Sequence, residues 1–298
     1  MNSVLVVGVA VLDFVFQMAE FPRTAEKYRA DGASISGGGN AANSSVAIAR
    51  LGGTAHLAAR LGDDQIADLI LTGLAAEGVD TQLTRRFPNK RSSFSSIYID
   101  GQGERQIMNF RDNTLSMNAD WLREAVPESI GATLGDTRWP NGARAAMQIA
   151  RERGVAGIID AESPVHEAEE ALLLASHVAF SAQGASDYTG ETDFRNAAKA
   201  ADQKLPGTVL VTDGANGVVM VKDGELSHFP AFDSEVVDTL GAGDVWHGVF
   251  AWAMAHGRNE IDAIRLSSAA AALKCSRPGG RDGAPSLKEV HQFIEERS

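Results

Sequence analysis

Hydrophobic and polar positions along this chain follow two alternating periods. Short apolar runs rich in Val, Ile and Ala are typical of strands buried on both faces; they are SVLVVGVAVLD, AHLAARLG, GVAGIIDAE, HVAFSAQ and TVLVTDG. Between them lie segments with helical spacing, such as GGGNAANSSVAIARLGG, QIADLILTGLAAEG and NGARAAMQIARERG. This alternation predicts an α/β fold whose mostly parallel central sheet is covered by helices on both faces.

Two segments depart from this rhythm. Residues 92–110, SSFSSIYIDGQGERQIMNF, alternate apolar and polar positions around a glycine-containing turn, which predicts a β-hairpin. Residues near 14–36 have an extended pattern without helical spacing. We therefore expect a small β-lid, formed by segments at about 12–36 and 90–112, over one end of the sheet. No long linker or internal repeat is visible, so residues 1–298 are expected to form a single domain.

Composition and charge exclude several classes of function. The chain has 298 residues, of which 44% are hydrophobic and 22% charged, as in globular proteins. A formal net charge of −12 argues against a nucleic-acid partner, although a few local positive groups would still hold a small anion. The apolar run near the N-terminus is too short to span a bilayer, and the lone Cys275 suits a reducing compartment. We expect a cytoplasmic protein that acts on neither nucleic acid nor membrane.

The stretch VDTLGAGDVWHG, residues 237–248, carries the candidate chemistry. It turns through glycines into a predicted helix, where the backbone N–H groups of Gly241, Ala242, Gly243 and Asp244 would point at one spot, to which the helix dipole adds positive potential. Asp244, in the first turn, would accept the proton of a hydroxyl group that attacks phosphorus. Taken alone, the same residues also fit a tight turn with Asp244 as a helix cap. The pattern therefore leaves an anion hole and a plain cap as alternatives.

Two motifs together resemble a known family. VDTLGAGDVWHG resembles the C-terminal signature of the ribokinase-like sugar kinases, the PfkB family, and GGGNAANSSVAIARLG resembles their N-terminal signature. The resemblance extends from VVGVAVLD to CSRPGGRDGAP and implies a ribokinase-like three-layer sandwich. It also implies transfer of the γ-phosphoryl group of ATP to a sugar hydroxyl with Mg²⁺, and leaves open a monovalent cation as a further cofactor. A homodimer through the β-lid is expected, because an exposed sheet edge invites pairing.

The resemblance assigns roles to particular residues. It implies that Asp244 is the base and that Gly241, Ala242 and Gly243 form the anion hole. Residues at positions that hold sugar hydroxyls in the family are Asp13, Gly38, Gly39 and Asn43. The loop TDGANG, with Thr212, Gly214 and Gly217, matches the border of the nucleotide site, and Ala272 and Cys275 match the adenine pocket. Each also has a plainer interpretation: a strand-end acid, a turn, a helix residue or a small buried thiol.

One departure concerns the metal. Family members often carry Asn-x-x-Glu after the strand represented here by HVAFSAQGASDYTG, where the motif organises the water shell of the metal. The matching stretch here is Ser181-Ala182-Gln183-Gly184, which lacks the glutamate, and Asp187 is a candidate substitute. The metal ligands are therefore unknown from the sequence.

Three polar residues bear on the choice of sugar. Lys27 and Asn109 fall in the two predicted lid segments, and Arg138 follows the short strand IGATLGD. If they converge, an ammonium, an amide and a planar guanidinium would suit an oxyanion such as a sulfonate or a phosphate. Their surroundings resemble those of the sulfofructose kinases, which implies 6-deoxy-6-sulfofructose as the substrate and its primary hydroxyl as the acceptor. The plainer alternative is that Lys27 and Arg138 are solvated surface charges.

Other functions remain as alternatives. A fructokinase- or ribokinase-type enzyme for neutral sugars would not need the two cations. A non-catalytic sugar-binding regulator is suggested by the missing glutamate. A nicotinamide dehydrogenase is suggested only by the α/β rhythm, and VVGVAVLD lacks the G-x-G-x-x-G fingerprint.

Overall fold

The computed structural model describes residues 3–297. A nine-stranded sheet forms its centre, and every neighbouring pair in that sheet is parallel except the two pairs that involve the strand Val218–Lys222. In spatial order from one edge the strands are β13 (Glu225–Phe229), β12 (Val218–Lys222), β11 (Thr208–Thr212), β10 (His177–Ser181), β9 (Ala156–Ala161), β8 (Ile130–Asp136), β1 (Ser3–Gly8), β4 (Ala55–Gly62) and β5 (Arg85–Phe87).

Helices cover both faces of this sheet, because its central strands are apolar on both sides. On one face a continuous apolar core joins the sheet to α1 (Asn40–Arg50), α2 (Gln65–Ala76), α8 (Ala242–Ala255), α9 (Glu260–Cys275) and α10 (Leu287–Glu295). On the other face a second core joins it to α3 (Leu122–Ala125), α4 (Pro140–Arg153), α5 (Glu169–Leu174), α6 (Ala182–Thr189) and α7 (Phe194–Asp202). None of the helices within residues 3–297 has both the length and the apolar character needed to cross a bilayer.

A separate four-stranded sheet forms the lid. Its order is β3 (Gly32–Gly38), β2 (Val11–Gln17), β6 (Phe94–Ile99) and β7 (Arg105–Phe110). The register places Asp13 of β2 opposite Ser36 on one side and Ser95 on the other, and Ser95 opposite Asn109. These four side chains therefore form one row on the same lid face. The predicted α/β sandwich with a mostly parallel sheet and a β-lid is confirmed.

Candidate active site

The glycine-rich turn leads into α8 at the carboxyl ends of the sheet strands. Gly241 has φ +76°, in the left-handed region that favours glycine, and it is the N-cap of the helix. Within residues 3–297, the N–H groups of Gly241, Gly243 and Asp244 have no acceptor, whereas that of Ala242 donates to the Thr239 carbonyl at 3.2 Å. Of the four expected amides, those of Gly241, Gly243 and Asp244 are thus available to an anion, and only that of Ala242 differs from the expectation, because it is engaged in the turn.

Asp244 is held in place from the first helix. Its Oδ2 accepts a hydrogen bond from Nδ2 of the buried Asn43 at 2.7 Å. Ser44, the next residue of α1, donates its hydroxyl to the Asp244 carbonyl oxygen at 2.9 Å. Burial and then the nearby charge of Asp160 raise the pKa of Asp244 to about 7, while the Asn43 hydrogen bond opposes the rise. A carboxyl group with this pKa suits proton transfer near neutral pH.

An acidic pair next to Asp244 was not predicted. Nδ2 of Asn40 donates to Oδ2 of Asp160 at 3.1 Å and to Oε2 of Glu162 at 3.0 Å. Burial, followed by the charge of Glu162, raises the pKa of Asp160 to about 8. The strand pattern GVAGIIDAE could have indicated both acids, since they lie at the carboxyl end of a predicted parallel strand, where ligands bind in such sheets.

The ring of His247 packs beside this pair. Its Nδ1 lies 3.4 Å from Asp160 Oδ1, and its Nε2 lies 3.2 Å from the carbonyl oxygen of Ala179. Only 3% of the residue is exposed, and burial lowers the pKa of the imidazole, which favours the neutral ring. These contacts and the burial indicate that His247 packs in the core beside the acidic pair.

The sugar-side residues meet at the start of α1. A Cβ built at Gly38 would overlap Oδ2 of Asp13, so only glycine lets the β3 backbone lie this close to that carboxylate. Gly39 has φ +96°, and a Cβ there would overlap the carbonyl oxygen of Val9. Burial raises the pKa of Asp13, against a hydrogen bond from Ser95. Asn109 also donates to the Ser95 hydroxyl, at 3.2 Å, so Ser95 joins the two predicted sugar contacts and is a further site residue.

The five predicted nucleotide residues line one cavity of about 420 Å³. Ala242 and Gly243 line the same cavity, which connects it to the anion-hole turn. Trp246, which is 3% exposed, lines this cavity too. The predicted nucleotide residues here are Thr212, Gly214, Gly217, Ala272 and Cys275.

In the described part of the chain, no hydrogen bond joins any two of the three residues expected to bind an oxyanion. Arg138 pairs with Glu162, its Nη2 lying 3.1 Å from Oε2. Asn109 belongs to the polar row of the lid. Lys27 is exposed in the loop between β2 and β3, and its side chain has no hydrogen-bond or ion-pair partner within residues 3–297.

The position at which the glutamate of the metal motif was expected has no room for a side chain. A Cβ at Gly184 would overlap the carbonyl oxygen of Ala161, so this position excludes a glutamate. Ser181 caps α6 by accepting the Gly184 N–H at 3.0 Å, and Oδ2 of Asp187 accepts the N–H of Val165 at 3.0 Å. Across the described residues, no group of three or more His, Cys, Asp or Glu side chains is arranged to hold a metal ion.

Comparisons with known proteins match this chain to carbohydrate kinases over nearly its whole length. A family model described as pfkB family carbohydrate kinase matches residues 1–287. A ribokinase from Haemophilus influenzae is 27% identical over 302 residues, with 99% of each chain covered. A structure from Agrobacterium tumefaciens, provisionally described as a ribokinase, is 35% identical with a TM-score of 0.93, covering 99% of this chain and 98% of its own. The structure of Arabidopsis thaliana ribokinase complexed with ribose and ATP is 25% identical with a TM-score of 0.85, with 99% of each chain covered.

Proposed function

Because this chain belongs to the pfkB family of carbohydrate kinases, we propose that it transfers the γ-phosphoryl group of ATP to a primary hydroxyl of a ketose, 6-deoxy-6-sulfofructose. The observation that supports the reaction most directly is the position of Asp244. It lies beside the cavity that includes Ala242 and Gly243, and its carboxylate accepts a hydrogen bond from Asn43, five residues after Gly38, the glycine that borders Asp13. The candidate base thus lies between the nucleotide cavity and the polar face of the lid.

The reaction follows from these positions. Asp244 accepts the proton of the sugar hydroxyl as its oxygen forms a bond to the γ-phosphorus and the bond to the ADP oxygen breaks. The free N–H groups of Gly241, Gly243 and Asp244 and the N-terminal end of α8 stabilise negative charge on the transferred group. Asn43 directs the Asp244 carboxylate through its 2.7 Å hydrogen bond.

The lid supports a sugar with a polar group at its far end. Neighbouring strands lie about 4.8 Å apart, so Asn109, two strands from Asp13, lies roughly 10 Å across the lid face from it. If Asp13 holds hydroxyls near the acceptor, Asn109 is in reach of the opposite end of a hexose. A sulfonate there would meet this amide, and it would compete with Glu162 for the Arg138 guanidinium.

Mg²⁺ is expected from the family, and Glu162 and Asp160 are the residues that would hold it. They fit because the Asn40 amide donates to both carboxylates, at 3.1 Å and 3.0 Å, which brings oxygen atoms of the two acids to one place. Mg²⁺ prefers oxygen ligands and usually keeps several waters, so one or two carboxylates suffice. When bound, the ion neutralises charge on the phosphate oxygens.

The lid is also the proposed homodimer interface. Ile35 and Met108 lie on the lid face opposite the polar row and are 58% and 71% exposed. Apolar residues exposed on edge strands favour burial against a second copy. Light scattering at micromolar concentration tests this: a monomer would contradict it.

A panel of acceptors with Mg-ATP tests the proposed function. ADP formation is measured with 6-deoxy-6-sulfofructose, fructose and ribose, and the phosphorylated carbon is identified by NMR. We expect kcat/KM for the sulfonated ketose to exceed that for fructose by roughly tenfold to a hundredfold, because a charge-assisted hydrogen bond contributes about 1.5–3 kcal/mol. Arg138→Ala should weaken the use of the sulfonated ketose far more than the use of fructose.

Ribose is the second candidate. The ribokinases compared above match the chain over nearly its full length, and Glu162 already occupies Arg138 in this structure. If ribose is the better acceptor, the sulfonate proposal fails and the kinase assignment stands. If no sugar supports ADP formation, a non-catalytic regulator is the remaining interpretation.

A further inference from the structure

A fully buried lysine lies at the base of the anion-hole turn. Lys274, in the last turn of α9, is 0% exposed and is the single buried lysine within residues 3–297. Its Nζ donates to the carbonyl oxygen of Asp238 at 2.6 Å and lies 3.2 Å from Oδ2 of the same residue. Burying an ammonium group costs free energy unless oxygen atoms surround it, so the oxygen atoms around Lys274 are what allow a charged group at this position.

Asp238 is the centre of that environment. Its Oδ1 accepts the N–H of Leu240 at 2.9 Å and Nη2 of Arg105 at 2.9 Å. Its Oδ2 accepts the N–H of Gly280 at 3.0 Å. Because Leu240 directly precedes the left-handed Gly241, these bonds fix the direction in which the chain enters the anion-hole turn.

The end of α9 is joined to the same segment through the backbone. The N–H groups of Val237 and Asp238 donate to the Cys275 carbonyl at 2.8 Å and 3.0 Å. The loop after α9 supplies the Gly280 N–H. Three chain segments therefore meet around one carbonyl oxygen and one carboxylate, and the Lys274 ammonium lies at their junction.

We propose that the Lys274 ammonium is a built-in cation that positions Asp238, and through it the turn 239–243, so that phosphoryl transfer needs no added monovalent cation. The proposal rests on the proposed function of the turn as an anion hole. Lys274 is a positioning residue, since its contacts are with Asp238 and the reacting groups lie beyond the turn. If the ammonium is removed, the carbonyl and carboxylate oxygens that it leaves are ligands that K⁺ or NH₄⁺ would accept.

If Lys274 only stabilises the fold, different results are expected. Its removal would lower stability, and the identity of the cation in the buffer would not matter. Arg105 does not replace it, because the guanidinium bonds to Oδ1 from the lid side and its side chain is 33% exposed. Rescue by a monovalent cation therefore separates the two roles.

The first experiment uses the unmodified enzyme. Its kcat is measured with the Tris salt of ATP and MgCl₂, in tetramethylammonium chloride and then in KCl or NH₄Cl at equal ionic strength. We expect the same rate in all three salts. A rate that rises severalfold with K⁺ or NH₄⁺ would overturn the proposal.

The second experiment removes the ammonium. Lys274→Met should lower kcat in tetramethylammonium chloride by roughly tenfold to a hundredfold, the loss expected for a charge-assisted contact, and KCl or NH₄Cl should restore most of it. Its melting temperature should rise with K⁺, whereas that of the enzyme with the exposed Lys199→Met substitution should not. A variant that is fully active without K⁺, or one that no cation rescues, contradicts the proposal.

Two outcomes call for a further measurement: a variant that does not fold, and an unmodified protein that phosphorylates no sugar. If Lys274→Met does not fold, a rate that rises with K⁺ in the unmodified enzyme can still overturn the proposal, and Lys274→Gln, which keeps a polar side chain at the buried position, takes the place of the Met variant in the rescue test. If the unmodified enzyme phosphorylates no sugar, the proposed function has failed, and the cation effect is read instead from the affinity for a non-hydrolysable ATP analogue. The expected outcome is then an affinity that is independent of K⁺ in the unmodified protein and dependent on it in Lys274→Met.

Discussion

The pKa of Asp244 predicts that substitutions of two of its neighbours shift the pH dependence of the reaction in opposite directions. If the Asp244 carboxylate is the base, kcat/KM rises with pH as this group loses its proton, with a midpoint near its pKa of about 7. The Asn43 amide lowers that pKa through the 2.7 Å hydrogen bond, and the Asp160 charge raises it. Asn43→Ala should therefore move the acid limb to higher pH, and Asp160→Asn should move it to lower pH.

The size of the first shift follows from the hydrogen bond. A hydrogen bond to a charged group contributes about 1.5–3 kcal/mol, and one pKa unit corresponds to about 1.4 kcal/mol, so Asn43→Ala should raise the midpoint by roughly 1–2 units. Asp160→Asn removes the neighbouring negative charge, so the midpoint should fall.

The assay is the pH profile of kcat/KM between about pH 5.5 and 9, where a limb near neutral pH is fully covered. The exposed Glu191→Gln serves as a control that should leave the limb in place. Shifts of both variants in the same direction, or no shift in either, would refute the assignment of Asp244 as the titrating base.

Three further predictions concern neighbouring features. The folded-state pKa of Asp160 is about 8 against an ordinary 3.8, so the folded protein holds a proton that the unfolded chain releases between these values, and stability falls as pH rises through that window. Asp160→Asn should thus raise the melting temperature at pH 8 by a few degrees and by much less near pH 4, as measured by calorimetry. Arg105→Ala breaks the 2.9 Å bond between the lid and Asp238, so amide exchange in β7 should quicken and the KM for sugar should rise, with the KM for ATP unchanged. Ala272→Phe fills part of the 420 Å³ cavity, so the KM for ATP should rise roughly tenfold or more while that for sugar stays constant; equal effects on both would contradict the nucleotide assignment.

Most strands and helices were predictable because their patterns are local. The run TVLVTDG contains β11 (Thr208–Thr212), and QIADLILTGLAAEG contains α2 (Gln65–Ala76). The three-residue β5 (Arg85–Phe87) was missed, because two arginines at a sheet edge carry no apolar signal. The lid hairpin was found since its alternation has a period of two.

The site was predictable only in part, because its contacts join distant segments. Asn40 and Asp160 are 120 residues apart, and they meet because β8 pairs with both β1 and β9. A list of strands does not give this order. Lys274 gave no sequence signal either: it lies in a helix of mixed pattern, and its burial depends on the loop that carries Asp238.

The turnover of Asp244→Asn tests the central claim most directly. The amide keeps the size of the side chain and an oxygen that can accept from Asn43, but it cannot take a proton. Sugar-dependent ADP formation should fall by roughly a hundredfold or more, while the affinity for an ATP analogue, measured by calorimetry, should be unchanged or tighter. Turnover near that of the unmodified enzyme would contradict the account.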